Sequence, residues 1–242
     1  LTSEKIKYIW HNYGRIEFLN RKEKGNIEKI WNSVIEHQNA LNKLDTTQEE
    51  VDINIDDDRP IGIAFWGDQH IGNVGTNHKR LLEDTELMKS TPGLYICDTG
   101  DSYDNYNQNS PGGGKFEAVI PPSIQKKLAL DILKKLKRKY LSVVLSCHTN
   151  WSRESDDFNW AEYAANEIGA VNLGYGGLIN LTLGKIKYSI RVRHKMRGGS
   201  SNPQKMHTNW LDQKGPTDII AVGHYHNPYI GQIEYQGQTI TT

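Results

Sequence analysis

A series of residues able to hold a divalent cation or move a proton recurs along this chain in ordered spacing. Asp68 and His70 stand in GDQH, Asp101 and Asp104 in GDSYD, Cys147 and His148 in SCHT, His194 in VRHK, and His224 and His226 in GHYH. Five of the nine histidines fall in this set. Taken singly, a histidine after a strand is an ordinary polar residue and an aspartate there is an ordinary turn or cap. Taken together, strand after strand releases a carboxylate or imidazole donor at one edge. In D-x-H and H-x-H, alternate side chains of an extended segment point the same way, so both can reach one ion. Mixed His and Asp donors suit Mn, Fe or Zn rather than Ca, and a carboxylate can bridge two cations. Two such ions about 3.5–4 Å apart clamp a phosphoryl group and generate a hydroxide nucleophile.

The elements that must position these residues sit in a 242-residue, 27.6 kDa chain, long enough for one large domain or a domain with an appendage. Lys+Arg and Asp+Glu are both 29, so attraction to nucleic acid or a membrane surface has to be local. No apolar run approaches the ~18 residues of a spanning helix, and no signal-peptide pattern opens the chain. Only Cys97 and Cys147 are present, which fits a reducing, cytoplasmic setting rather than a disulfide framework. The chain begins at Leu1 without methionine and stops at Thr242 within an apparent hairpin turning near Gln236 and Gly237. An excerpt with an incomplete C-terminus is expected.

Residues 1–47 read as a helical segment, with Ile6, Ile9, Trp10 and Tyr13, then Ile27, Ile30, Trp31, Val34 and Ile35, at helical spacing around a break at Lys24, Gly25 and Asn26. A DNA-reading helix-turn-helix competes there with a packing or partner-binding role. Residues 48–60 (QEEVDINIDDDRP) are acidic and closed by proline, and read as a linker. From residue 61 the pattern is α/β. Short apolar runs at 61–66, 94–97 and 141–145 alternate with helical stretches at 81–88, 123–140 and 156–168; strands follow at 178–183, 186–193 and 219–222. Ligands of open α/β sheets collect at the carboxyl ends of the strands, where the motifs fall.

In its ordered motifs the chain resembles the calcineurin-like metallophosphoesterases, whose pattern runs D-x-H, G-D-x-x-[DN], G-N-H-[DE], a lone H, then G-H-x-H. The likeness covers residues 61–242, the segment read as the metallophosphoesterase domain. It implies a four-layer α/β/β/α sandwich with a dinuclear centre holding two divalent metal ions, Mn, Zn or Fe, with Mn favoured. By the same likeness Asp68, His70 and His226 would hold one ion, Asp101 would bridge, and His194 and His224 would hold the other. His148 would protonate the leaving oxygen or steady the transition state, and Asp104 would orient a ligand or His148.

Where the family has Gly-Asn-His-Asp, this chain has Ser146, Cys147, His148 and Thr149. Cys147 is read as a thiolate ligand favouring zinc or iron, or as a structural thiol beside a weakened second ion, or as replaced by Asn150 reaching back. Arg193, Lys195 and Arg197 flank His194 and are candidates for gripping an anionic substrate, whereas Lys185 and Lys187 read as a solvated strand face. Residues 198–203 read as a phosphate-cradling loop or an ordinary turn before a helix at 204–211. Lys126, Lys127, Lys134, Lys135, Lys137, Arg138 and Lys139 form a second basic stretch, either a solvated helix face or a nucleic-acid surface. Residues 102–115 form a polar, Gly-rich loop whose Tyr103 and Tyr106 are candidates for stacking on a base or sugar.

Within the family these features look more like phage or prophage phosphoesterases and repair-type nucleases than protein phosphatases. The expected function is metal-dependent hydrolysis of phosphodiesters, with DNA or RNA as candidate substrates. A phosphomonoesterase on protein or nucleotide is the enzyme alternative. An attenuated nucleic-acid- or partner-binding module is the alternative without turnover. No membrane partner is expected.

Overall fold

The computed structural model describes residues 7–10, 14–17, 27–57, 59–108, 110–111, 114–196, 203–226 and 229–242. The chain divides into two compact units, Leu1–Thr46 and Thr47–Thr242. In the first, β1 (Lys7–Trp10) pairs antiparallel with β2 (Gly14–Glu17), and α1 (Ile27–Leu44) follows. The expected helical character of residues 1–47 therefore holds over α1 and fails over β1. Ile9 and Trp10 fit both periodicities, but a short run of β-branched and aromatic residues favours the extended chain. Ile6, Tyr13 and the break at residues 24–26 lie outside the described residues. One helix is found here among the described residues, so no helix-turn-helix pair is formed by them.

The second unit is mixed α/β. Four parallel strands, β4 (Gly62–Trp66), β5 (Leu94–Asp98), β6 (Tyr140–Val143) and β7 (Val171–Asn172), form one sheet in that order. Six strands form a mixed sheet. They are β3 (Glu50–Ile55), β8 (Gly176–Leu183), β9 (Ile186–Arg193), β10 (Ile219–Val222), β11 (Gln232–Tyr235) and β12 (Gln238–Thr241), ordered β11-β12-β10-β9-β8-β3. The helices are α2 (His78–Ser90), α3 (Pro122–Lys135), α4 (Cys147–Asp156), α5 (Trp160–Ile168) and α6 (Pro203–Lys214).

Period-2 alternation explains the packing. On β5, Tyr95 and Cys97 join a core shared with Ile55, Ile179, Leu181, Ile190 and Val192 of the other sheet; Leu94 and Ile96 face a second core. That second core holds Met88 of α2, Ile132 and Leu133 of α3, and Trp160, Ala164 and Ile168 of α5. A parallel strand apolar on both faces needs cover on both, and β5 has it. Met206 and Leu211 of α6 close a third core with Ile220 and Ile240.

The stretch 48–60 is not a linker throughout. Val51, Ile53 and Ile55 alternate with Asp52 and Asn54, and β3 pairs parallel with β8 from Glu50↔Leu178 to Ile55↔Leu183. The acidic partners face outward, where Asn180 Nδ2 donates to Glu50 Oε1 at 2.8 Å and Asp52 Oδ1 at 3.0 Å. The acidic composition concealed the alternation. Two helix boundaries also differ. The helix expected over 123–140 ends at Lys135, and Tyr140 already belongs to β6. The helix expected over 156–168 is α5 alone, because Asp157 takes a left-handed conformation (φ 58°) that ends α4. Gln236 and Gly237, at φ 50° and 80°, turn the expected C-terminal hairpin. Among the described residues no helix is long and apolar enough to cross a membrane.

Ile55 is 8% exposed in the inter-sheet core. Ile55→Ala is expected to cost about 2–4 kcal/mol, measured by urea unfolding. A linker side chain would cost close to nothing.

Candidate metal centre

Every candidate ligand sits just beyond a strand. Strands β4, β5 and β6 run parallel, so GDQH, GDSYD and SCHT leave the same edge of their sheet. Strands β9 and β10 also run parallel, so His194 and GHYH leave one edge of theirs. The loops are stitched together by main-chain bonds. Asp68 N–H donates to Gly100 O at 2.7 Å, and His70 N–H donates to Asp101 O at 3.0 Å. Between the sheets, the His224 N–H donates to both Asp68 carboxylate oxygens, at 2.8 and 3.0 Å. Tyr225 OH donates to Met196 O at 2.9 Å, tying GHYH to the segment after His194.

Two glycines permit this approach. A Cβ on Gly100 (φ 94°) would lie 2.6 Å from Ser146 Cβ and 2.8 Å from His194 Nδ1. One on Gly223 would lie 2.6 Å from Asp68 Oδ2. Backbone strain is concentrated here as well. Among the described residues eight non-glycine residues have positive φ, and Asp68, His70, Asp101, His224 and His226 are five of them. Such conformations cost of order 1–3 kcal/mol each and persist where the surrounding structure over-determines them.

The donor atoms meet in four overlapping groups: Cys147, His194 and His224; Asp68, His70 and His226; His70, Asp101 and His148; and Asp68, Asp101 and His194. Within each group the ligand atoms lie within 4.8 Å of one another. These groups bring together every residue for which a metal-ligand role was expected from the sequence, with His148 beside them.

The hydrogen bonds show why this set fits a cation. His194 is 2% exposed, and its Nδ1 lies 2.8 Å from the carbonyl of Thr99, which can only accept. Nδ1 therefore carries the hydrogen, and in the neutral ring Nε2 is a bare lone pair. That Nε2 is buried without a hydrogen-bond partner, 3.0 Å from Asp101 Oδ2. A lone pair facing a carboxylate oxygen at that distance is repulsive unless a proton or metal ion lies between them. His70 repeats the arrangement. Its Nδ1 is 3.2 Å from Asp104 Oδ1, and its Nε2 is turned to His226 Nε2 at 3.0 Å. His148 Nδ1 is held by the carbonyl of Asp104, leaving its Nε2 3.9 Å from Asp101 Oδ2.

Charge follows the same logic. Burial opposes ionisation of Asp101, but the hydrogen bond and charge of His194 hold its carboxyl well below the usual carboxylate range. Burial likewise opposes the charged His194 ring, and Asp101 and Cys147 outweigh it, raising it to about 10. The Cys147 thiol, pushed up by burial, is drawn down to about 6 by His194 and His224. Burial lowers His148, with the Asp101 charge opposing. From protein groups alone, the cluster calls for positive charge at its centre.

Asp104 lies outside the donor groups and orients two rings, His70 through its carboxylate and His148 through its carbonyl. Cys147 opens α4 after Ser146, whose N–H donates to Thr149 Oγ1 at 3.0 Å. Asn150 does not reach back to the cluster as a substitute ligand. Its Oδ1 accepts from Tyr175 OH at 3.0 Å and its Nδ2 donates to Glu154 at 2.6 Å. Arg193 Nε donates to Lys195 O at 2.7 Å, and Lys195 is exposed; Arg197 and residues 198–202 lie outside the described residues.

Tyr103 is 0% exposed and packs edge-on against Trp160 at 4.9 Å, so it is a core residue rather than a stacking surface. Tyr106 remains beside the cluster, 5.3 Å from the His148 ring. The basic stretch along α3 and just beyond it is partly engaged. Lys134 pairs with Glu167, Lys135 pairs with Asp131, Lys126 lies over Phe158, and Lys139 Nζ donates to carbonyls of Thr91 and Leu94.

Three contributors escaped the sequence reading. Trp151 stands one helical turn from His148 and packs on its ring at 4.2 Å. Asn105 (φ 50°) donates to His148 O at 2.6 Å. Asp98, buried and thereby raised to about 7, accepts from the N–H groups of Gly100 and Val144 at 3.1 Å each. Only the i, i+3 spacing of His148 and Trp151 was visible in advance. No protein-family model matches this chain, and no curated protein matches it.

A divalent ion binding here stabilises the folded chain by about 2.7 kcal/mol at 100 times its Kd. Mn²⁺ or Zn²⁺ is therefore expected to raise Tm, read by thermal unfolding. Asp101→Asn should remove most of that rise, and Asn150→Ala should leave it intact.

Proposed function

We propose that this chain is a metal-dependent phosphoesterase acting on phosphodiesters, with nucleic acid as the leading substrate class. The observation that carries the reading is the buried convergence on Asp101 of imidazole nitrogens from loops of both sheets. The order of the motifs supports membership of the calcineurin-like metallophosphoesterases. So does the layering of the cores, with helices against one sheet, sheet against sheet, and α6 against the other, as in a four-layer α/β/β/α sandwich.

On this reading Asp68, His70 and His226 would hold one ion, His194, His224 and Cys147 would hold a second, and Asp101 would serve as a shared carboxylate donor. Bound divalent ions would supply Lewis-acid stabilisation of phosphoryl charge and a water acidified enough to act at neutral pH. The chain's own residues do the rest. The Asp104 carbonyl fixes the His148 proton on Nδ1, so Nε2 is the atom that takes up a proton and hands it to the leaving oxygen. Burial lowers the His148 pKa, which makes the protonated ring a readier acid. Trp151 and Tyr106, both half-buried, wall the ring at 4.2 and 5.3 Å and restrict its rotation. Their aromatic faces also favour a leaving group that carries a base. Arg193 and Lys195 flank His194 in the chain and offer positive charge to a phosphate.

Hydrolysis of bis-p-nitrophenyl phosphate with added Mn²⁺ tests the reading. Turnover is expected, with complete loss in Asp101→Ala. His148→Gln is expected to lower kcat about 10²–10⁴-fold while the metal-induced rise in Tm persists. Turnover of monoesters with none of diesters would move the assignment to a phosphomonoesterase. Turnover of neither would overturn it.

A further inference from the structure

The two halves of the cluster differ in donor chemistry. One presents the Cys147 thiol with the imidazoles of His194 and His224; the other presents the Asp68 carboxylate with the imidazoles of His70 and His226. We propose that the centre is selective by compartment, with the Cys147 side binding a thiophilic ion such as Zn²⁺ through sulfur and the Asp68 side binding a harder ion such as Mn²⁺. The centre then assembles as a mixed-metal pair. The inference rests on the reading of the cluster as a metal centre and not on the reaction it performs.

Three observations support it. Cys147 Sγ lies within 4.8 Å of a nitrogen of each of two histidines, in a group that contains no carboxylate. The His194 ring in that group is buried and its Nδ1 is committed to the Thr99 carbonyl, so Nε2, which also faces Asp101 Oδ2 at 3.0 Å, is the atom left to serve the compartment as a donor. The helix start also commits the thiol to this place, because Cys147 is the first residue of α4, fixed by the Ser146–Thr149 bond. Thiolate and imidazole donors favour Zn²⁺ over Mn²⁺, whereas carboxylate-bearing sites accept Mn²⁺. A cysteine here thus sets the identity of one ion and leaves the other to the carboxylate side.

The chain supplies its own spectroscopic control. Its second cysteine, Cys97, is 0% exposed in the inter-sheet core, and burial pushes its thiol up to about 12, so it makes no competing thiolate site. Co²⁺ titration of the full chain is expected to give a near-ultraviolet sulfur-to-cobalt charge-transfer band that saturates at one equivalent. Cys147→Ser and Cys147→Asn should both lose the band. Cys147→Asn, which keeps an oxygen donor at the position, should still bind metal, with its Zn²⁺-over-Mn²⁺ preference reduced by about tenfold or more. With one equivalent of Zn²⁺ present, Mn²⁺ electron paramagnetic resonance should still report one bound Mn²⁺.

Co²⁺ binding without the band, a band that survives both substitutions, or displacement of all Mn²⁺ by one equivalent of Zn²⁺ would each overturn the proposal. Absence of any Co²⁺ binding would overturn it together with the metal centre. The band with no phosphoester hydrolysis would uphold it while removing the proposed function.

Discussion

The arrangement around Asp101 is an electrostatic problem that a proton or a metal ion between the two groups solves. A carboxylate 1% exposed faces the Nε2 of a histidine 2% exposed, at 3.0 Å, with the other histidine nitrogen already committed to a carbonyl. Water, which would screen two lone pairs at the surface, is excluded. In such a setting an unshielded repulsion is costly, and a positive charge placed between the atoms is worth far more than in solvent. Much of the rest of the molecule follows from holding these atoms together.

Two sheets provide the force that holds them. Parallel strands with apolar residues on both faces bury their sides against helices and against each other, and leave their carboxyl ends aligned. The loops at those ends can then be short, strained and glycine-dependent, because the strands beneath do not yield. Asp68 binds the His224 backbone across the sheets, so the first and last motifs in the chain position each other. Asp98 serves the same end from below, accepting from Gly100 and Val144 and so fixing where β5 stops and the loop carrying Asp101 begins. Local backbone cost is offset by burial elsewhere, a common way for a fold to keep reactive groups in place.

Around His148 the chemistry of the rim is aromatic more than cationic. Trp151 and Tyr106 pack on the ring, and Asn105 and Asp104 hold its main chain and its Nδ1. Two lysines of α3 lie in ion pairs and Lys139, just beyond it, donates to a carbonyl, which reduces the case for this stretch as a broad polyanion surface. Arg191 is engaged in a similar way, donating to Lys214 O at 2.7 Å and lying over Trp210. On the proposed reading, these contacts favour selection of a substrate by stacking near His148 over selection by bulk charge.

The α/β class and the candidate donors that cluster in the structure were legible in the sequence because each depends on local pattern. Strands alternate with period two, turns carry glycine and aspartate, and D-x-H and H-x-H spacings mark candidate donors that gain weight only as an ordered set. Patterns with more than one solution were misread. Val51, Ile53 and Ile55 alternate within an acidic stretch, and only a neighbouring β8 makes that alternation a strand. Ile9 and Trp10 fit helix and strand spacing equally, and pairing with β2 decides between them. Tyr103 and Tyr106 look alike in the loop, yet one is buried on Trp160 and the other stands beside His148. The partners of Asn150, the stacking of Trp151 and the meeting of Cys147 with His194 and His224 join residues distant in sequence or facing different neighbours. Local periodicity determined which residues could act; only three-dimensional packing, which sets what each side chain faces, decided which of them meet.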